Sequence, residues 1–407
     1  MRMPLRPPIK SADKSEKSAE DDDDAGAEGP RFALRHLFWK AAVWSLIGVG
    51  VQTFAGIMPS IVESTYSERV YYYIPRVFSF INNLIPFSIG EIFFLLLALY
   101  FFSWLLWYLR RVFRQESRLW DVTKLFWLQM FWTFSVLFVL FLLLWGLNFQ
   151  RREISESAGL ERPPARTDEL QVVGARIVSL INSSYSSFEA SVSDQNLSGA
   201  SRLPYTDLVL MRNLENAYQK TGLIGTAGQS GVGSPKPLLL SGVASWLGID
   251  GIYMPFTAEV TYNKNLPANV LPFVIAHLKA HQRGYAREDE ANFVAYVACT
   301  GADDPYIRYS GHLHSIKVLK ALEQANIERY TEAIGPGPTA DLLERAKFWE
   351  RVENPTFSKL VDDGLGAYLR INRVARGNKN SDDDIPLIIN YLIKNRPPGD
   401  VPPQPVP

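Results

Sequence analysis

Cysteine is nearly missing from this chain. Cys299 is the only one in 407 residues, so there is no intrachain disulfide and no cysteine-based metal site. That neither demands nor forbids an oxidising compartment. Cys299 itself falls in an apolar helical pattern and reads as a small buried hydrophobe. Net charge is missing too: 42 basic side chains stand against 42 acidic ones, and no global field favours nucleic acid as a partner. No internal repeat is present. The first thirty residues, "MRMPLRPPIKSADKSEKSAEDDDDAGAEGP", have almost nothing apolar to bury. Residues 1–36 therefore read as a disordered tail, and the acidic run argues against a cleaved signal peptide.

Further on, what is lacking is charge. The stretches Ala41 to Val62, Ile92 to Leu109 and Leu125 to Gln150 carry no Asp, Glu, Lys or Arg. Each is at or above the roughly 18 residues that mark a membrane-helix candidate. Their Trp and Tyr residues gather toward the ends, as interfacial anchors do. A membrane domain is expected over 37–152, with transmembrane helices at about 41–62, 88–109 and 125–148. Arg31, Arg35 and Lys40 precede the first span, and Arg110, Arg111, Arg114, Arg118 and Lys124 separate the second from the third. The first loop holds only Arg69 and Arg76. The positive-inside rule puts the N-terminus in the cytoplasm and everything after Arg151 on the external side of the plasma membrane; Arg151 and Arg152 pull weakly the other way. Inside the spans, the polar Gln52 and Gln129 stand alone. Transporters and channels carry ionisable or broken-helix features at that depth, so the spans read as an anchor in the lipid bilayer.

From residue 153 the composition becomes that of a globular domain, expected over 153–395 and followed by a Pro-rich tail, 396–407. Arg166 to Asn182 and Thr206 to Lys220 read as amphipathic helices with acids at their starts. "GTAGQSGVGSPK" is a loop, lacking the Gly-Lys-Ser/Thr ending of a phosphate-binding loop. "PLLLSGVASWLGIDGIYMPFTAEVTYN" alternates and is broken by Gly, which suggests two strands or a hairpin. Helices resume near Pro272 and continue through "DDPYIRYSGHLHSIKVLKALEQA", "TADLLERAKFWERV" and "DIPLIINYLIKN", with "IERYTEAIGPGP" as a helix stop. The domain is mainly helical α+β with a small sheet.

One stretch carries chemistry: "VIAHLKAHQRGYAREDEANFVAY". Residues four apart share a helix face, so His277 and His281 present two imidazoles to one metal. The run "LPFVIA" before them is apolar all round, which places them on a buried helix. Gly284 lets the chain turn, and a new helix near Arg287 then presents Glu288 and Asn292 on one face. Glu288 is the candidate third ligand, zinc the candidate ion, and Asn292 a partner that orients a ligand. Glu290 falls on the opposite face and reads as structural. His312 and His314 are two apart, diverge on a helix, and read as surface or packing residues.

"GIYMPFTAEVTYN", "LPFVIAHLKAHQRGYAREDEANFVAYVAC" and "YIRYSGHL" resemble a bacterial membrane family catalogued as domain-of-unknown-function family 3810. The resemblance runs from the first span to about residue 395. It implies three N-terminal spans and an external zincin-like domain, similar to zinc metallopeptidases, with the motifs HExxH and ExEAN. His277 and His281 match the motif histidines and Glu288 the first acid of the later motif. It also implies that the strand "YMPFTAEV" is an edge that accepts an extended peptide or protein by strand addition.

Leu278 stands where that motif has glutamate. In such enzymes the glutamate is no ligand; it takes a proton from the attacking water and passes it to the leaving amine, worth about 100- to 10,000-fold in rate. Leucine has no lone pair to offer. Lys279 lies toward another side of the helix, and Glu259 is a weak candidate for a relocated base. The leading expectation is a membrane-anchored metallopeptidase-like protein without the usual catalytic residue, a pseudo-peptidase with a binding or regulatory role. The alternatives are an active metallohydrolase using a base such as Glu259, and a structural membrane protein without metal.

Overall fold

The computed structural model describes residues 16–114, 119–192, 206–222, 233–372, 374 and 384–396, with side chains of the N-terminal helix from Leu34 onward. Arg118, most of "GTAGQSGVGSPK", residues 1–15 of the expected N-terminal tail and residues 397–407 of the C-terminal one lie outside the described residues.

The chain opens with α1, Glu16–Ile57. Residues 16–36 of the expected tail form the first part of this helix. After a break at Met58 a π-helical segment, Val62–Val70, leads into α2, Tyr71–Asn82. Two long helices follow, α3 (Ile89–Phe113) and α4 (Leu119–Leu144). Among the described residues, three segments are long and apolar enough to cross a membrane: Leu34–Ile57, Ile89–Phe113 and Leu119–Leu144. The first lies upstream of the sequence-based 41–62, because the helix is interrupted before Pro59 and the apolar run up to Val62 does not continue it. The third ends at Leu144, where the chain tightens into a 3-10 turn, Gly146–Gln150.

Two compact units result, Met1–Val51 with Leu97–Leu140, and Gln52–Leu96 with Phe141–Pro407. In the first, Ser45 and Ser135 share a hydrogen bond of 2.8 Å, Gln129 donates to the Tyr100 hydroxyl at 2.8 Å, and Phe101 stacks on Phe134. Gln129 is therefore satisfied within the bundle, as a polar group away from water requires.

The second unit holds the remaining elements. Helices α5 (Thr167–Val192) and α6 (Asp207–Lys220) come first. A three-stranded sheet follows, built from β1 (Lys236–Pro237), β2 (Gly251–Met254) and β3 (Glu259–Tyr262), with the short helix α7 (Ser241–Trp246) between β1 and β2. The sheet order is β1-β3-β2, with β1 parallel and β2 antiparallel to β3. The run "YMPFTAEV" is thus no single strand. It spans the end of edge strand β2, a turn at residues 255–258 and the start of central strand β3, as Pro255 and the positive φ of Ala258 require.

The helical remainder comprises α8 (Leu271–Gln282), α9 (Glu288–Thr300), α10 (Pro305–His314), α11 (Ile316–Gln324), α12 (Pro336–Val352), α13 (Pro355–Ile371) and α14 (Asp384–Lys394). Local signals account for several starts. Asp304 accepts from the Tyr306 and Ile307 amides with Pro305 in the first turn of α10, and Asn354 with Pro355 does the same for α13. "GPGP" opens α12 instead of only stopping what precedes it: Gly335 is its cap and Pro336 its first residue. Helix α13 was not expected from the sequence. The core is centred on α8, α9 and α10, where Ile275, Ala276, Ala280, Phe293 and Tyr309 are fully buried.

Candidate metal centre

Helix α8 is buried on nearly every side, so its register is fixed by packing; the Tyr218 hydroxyl donates to the Ala276 carbonyl at 2.5 Å. Its C-terminal carbonyls are orphans of helix geometry and need outside donors. Trp145, immediately after the third apolar segment, donates its indole N–H to the His281 carbonyl at 2.9 Å. Tyr71 donates its hydroxyl to the Gln282 carbonyl at 3.0 Å. The chain then reverses at Gly284, whose φ of +88° favours glycine and whose missing Cβ leaves room for Tyr71 and Asn148 at 3.1 Å. That turn brings the start of α9, and with it Glu288, back over the histidines.

Donor atoms of three residues converge. His277 Nε2 and His281 Nε2 are 3.1 Å apart, Glu288 Oε2 is 3.3 Å from His277 Nε2, and Glu288 Oε1 is 3.5 Å from His281 Nε2. Donors bound about 2.0–2.2 Å from a tetrahedral ion sit roughly 3.3–3.6 Å from one another; the two histidine–glutamate distances fall in that range and the histidine pair is slightly closer, a spacing suited to one zinc-sized ion after a small outward adjustment of the imidazoles. The second nitrogen of His281 faces the Tyr285 carbonyl at 2.8 Å. A carbonyl only accepts, so Nδ1 carries the proton and Nε2 offers its lone pair to the cluster, as metal-ligating histidines do. Burial alone would raise the Glu288 carboxyl, but His281 and His277, through charge and hydrogen bonding, hold it well below the ordinary carboxylate range. It is an anion and a ready ligand.

His277 and Glu288 line a cavity of about 520 Å³, whose wall also includes Leu278, Asn292, Asp250 and Arg345. Asn292 is buried on the same helix as Glu288, one turn on. Leu278 is 4% exposed, and its Cδ1 lies so close to Gly251 that a Cβ there would approach to 2.5 Å. Lys279, itself fully buried, turns away into an ion pair with the half-buried Glu215, and burial lowers its ammonium to about 8.

The other expected residues fall elsewhere. Glu259 is on central β3, not an edge, and its carboxylate is committed: it accepts from the Gly90 and Ile89 amides at 2.6 and 3.2 Å, from Thr257 at 3.0 Å, and pairs with Lys236 at 2.7 Å. It caps α3 and does not line the cavity. Glu290 accepts from the Ile154 amide at 2.9 Å. His312 and His314 are not surface residues. Both are largely shielded, His314 lines the cavity wall, stacks on Phe273 at 3.7 Å and meets the buried Asp384 at 3.2 Å.

The chain matches the family described as a protein of unknown function, DUF3810, over residues 66–389. It belongs to that family. No curated protein and no solved structure matches. The DUF3810 match starts beyond the first apolar segment and includes the whole trio and its cavity.

Asp250 is the residue the sequence did not single out. It immediately precedes β2, lines the cavity beside Leu278, and has one carboxylate oxygen shielded from water with no hydrogen-bond partner. Burial raises its carboxyl above the usual value, opposed by Arg345 and His277. Arg345 lines the same wall from α12. No local pattern announces either residue. They lie 27 positions before and 68 after His277, and only the tertiary fold brings them to it.

Proposed function

We propose that this DUF3810 chain is a membrane-anchored, zincin-like protein in which His277, His281 and Glu288 hold a zinc ion, and which binds extended peptide without cleaving it by the usual route. The observation that carries the reading is the trio's spacing, 3.1, 3.3 and 3.5 Å with the His281 lone pair turned inward. Zinc, when bound there, would act as a Lewis acid on a ligand carbonyl. The chain's own residues do the rest. Glu288 supplies the negative charge and the Tyr285 carbonyl sets the His281 tautomer. Edge strand β2, whose Gly251 borders the cavity with Asp250 just before it, offers main-chain groups to an extended segment. Leu278 leaves the helix without the proton acceptor that hydrolysis by this route requires. On this reading the domain after the third span faces the external side of the plasma membrane, with the N-terminus in the cytoplasm.

The test is zinc content per chain of the full-length protein in detergent, with His281→Ala alongside. About one zinc per chain, lost in the variant, is expected; no zinc in either, or equal zinc in both, rejects the reading.

A second reading, a working metallohydrolase, is favoured by one observation. Asp250 puts an unpaired carboxylate oxygen at the cavity wall next to Leu278. If it takes the proton of an attacking water, peptide hydrolysis occurs in the natural protein and Asp250→Asn abolishes it without changing zinc content.

A further inference from the structure

Outside the three apolar segments the second unit carries large apolar side chains that no part of the described chain covers. They are not scattered. On α2 and its flanks, Val70, Tyr73, Val77, Phe80 and Leu84 recur at three- and four-residue spacing, a single helical stripe, and Phe80 is 76% exposed. The opposite face of α2, with Tyr71, Pro75 and Ser79, is buried. Just before and within α7, Leu239, Leu240, Val243 and Trp246 are exposed. On α13, Phe357, Leu360 and Ile371 stand on one face, while Lys359, Asp363 and Arg370 fall on another.

These patches share a level, because each is joined to the end of an apolar segment. Helix α2 lies between the first and second segments. Glu91, in the first turn of the second, accepts from the Leu239 and Leu240 amides at 2.8 and 3.1 Å. Gln52, near the end of the first, donates to the Ile371 carbonyl at 2.9 Å. The Asn354 amide donates to the Trp246 carbonyl at 2.9 Å, and Trp246 packs on Phe357 at 4.4 Å, which links α7 to α13. A residue bonded to Gln52 cannot stand far above the lipid in which that helix ends.

We infer that the apolar faces of α2, α7 and α13 lie in the bilayer itself, embedded in the interfacial zone of the leaflet that receives the end of the first span and the start of the second. At about 18 Å, from 12 residues at roughly 1.5 Å each, α2 is too short to cross the roughly 30 Å hydrocarbon core and long enough to lie in its surface. Its apolar stripe, Arg69 and Arg76 suit that position. The same belt borders the candidate site: Trp246 precedes the cavity residue Asp250 by four positions, and the helix that carries Arg345 also exposes Leu343. The inference rests on the three apolar segments being membrane spans and is independent of the metal.

Spin labels on the full-length protein in lipid nanodiscs test it. In a Cys299→Ala background, single cysteines are introduced as Phe80→Cys, Val243→Cys and Leu360→Cys, with Leu96→Cys in the second span and Asp363→Cys on the polar face of α13 as references. Collision rates with oxygen and with a water-soluble nickel chelate are then compared. Labels at 80, 243 and 360 should resemble the label at 96, with oxygen favoured over nickel by several-fold, and the label at 363 should show the reverse. Nickel accessibility at 80, 243 and 360 equal to that at 363 would overturn the inference. So would protection from both reagents with dipolar broadening between chains, which would mean that a second copy covers the face. A label at 96 that behaves like the one at 363 would instead reject the membrane spans on which the inference stands.

Discussion

Replacing Leu278 by glutamate separates a site that has lost its catalytic group from one that works by other means. Burying a leucine side chain is worth about 1.5–3 kcal/mol, and Leu278 is 4% exposed, so its methyl groups are well used. Its side chain lines the cavity, however, and touches the Gly251 backbone with Cδ1. A glutamate of similar length keeps the inner methylene contacts and extends its carboxylate into the cavity beside His277. Because the carboxylate ends in the cavity, the expected stability loss is about 1–3 kcal/mol, the usual range for a destabilising single substitution. The functional gain should be far larger. A positioned carboxylate accelerates proton transfer about 100- to 10,000-fold, roughly 3–5 kcal/mol of barrier. The assay is cleavage of a fluorescence-quenched peptide library by the zinc-loaded, full-length protein in detergent, for the natural chain, Leu278→Glu and Leu278→Gln. Only Leu278→Glu should show turnover, since glutamine has the same shape and no basic oxygen. Turnover by the natural chain, equal to that of Leu278→Glu and lost in His277→Ala, would refute the argument and direct attention to Asp250. A folded, zinc-bound Leu278→Glu with no activity would also refute it, because the missing glutamate would then not be what the site lacks.

Acid should destabilise the second unit through two histidines. Burial lowers both His312 and His314 to about 4, helped by Arg308 and Arg176 at the first and by Lys317, against Asp384, at the second. Unfolded imidazoles protonate near 6.5, so the stability they contribute is complete above about pH 6.5 and lost as the pH falls through about 4, on the order of 3 kcal/mol each; Tm measured from pH 7.5 to 4 should fall less steeply in His314→Asn than in the natural chain. Glu63→Gln removes the carboxylate that Arg151 and Arg152 share at 3.0 Å each, with Arg151 itself largely buried. A loss of about 3 kcal/mol is expected, visible as a Tm drop that no added salt restores. Gly284→Ala places a Cβ at a φ of +88° and 3.1 Å from the Tyr71 ring, which should cost about 1–3 kcal/mol and weaken zinc retention by moving Glu288; unchanged Tm and zinc content would contradict the role given to that turn.

The sequence reveals best what is local. Long uncharged runs mark the spans, because a helix in lipid must be apolar over its whole length; the first and third stop early at Pro59 and at the turn after Leu144, while the helices run past the uncharged stretches to Leu34, Phe113 and Leu119. The trio is legible for a similar reason: His277 and His281 share a helix face by spacing alone, and one glycine turn suffices to return Glu288. Helix α2 is hidden between two spans because its stripe is short and its other face is polar. Helix α13 is obscured by Gly364 and Gly366, which weaken the helical pattern, and by the fact that its apolar face is not its buried one. Asp250, Arg345, Trp145 and Tyr71 were out of reach of any window. Each is brought to the site by packing between elements far apart in the chain.

That last group changes how the molecule should be understood. The expectation of an anchor followed by a separate soluble domain treats residues before 153 as a tether. Yet the second compact unit includes Gln52–Leu96 and begins again at Phe141. The carbonyls that end α8 take their hydrogen bonds from Tyr71 and Trp145, the turn at Gly284 packs on Tyr71 and Asn148, and α3 is capped by Glu259 from the central strand. A buried carbonyl deprived of its donor costs about 1–3 kcal/mol; the Gln282 carbonyl takes the Tyr71 hydroxyl, and the His281 carbonyl, on a proposed ligand, shares itself between Trp145 and the Gly284 amide at 3.0 Å. The geometry of the trio is therefore set partly by residues at the membrane ends of the spans. Any movement there, through tilt, lipid thickness or a partner on the spans, would reach the trio of His277, His281 and Glu288 through two hydrogen bonds and one turn.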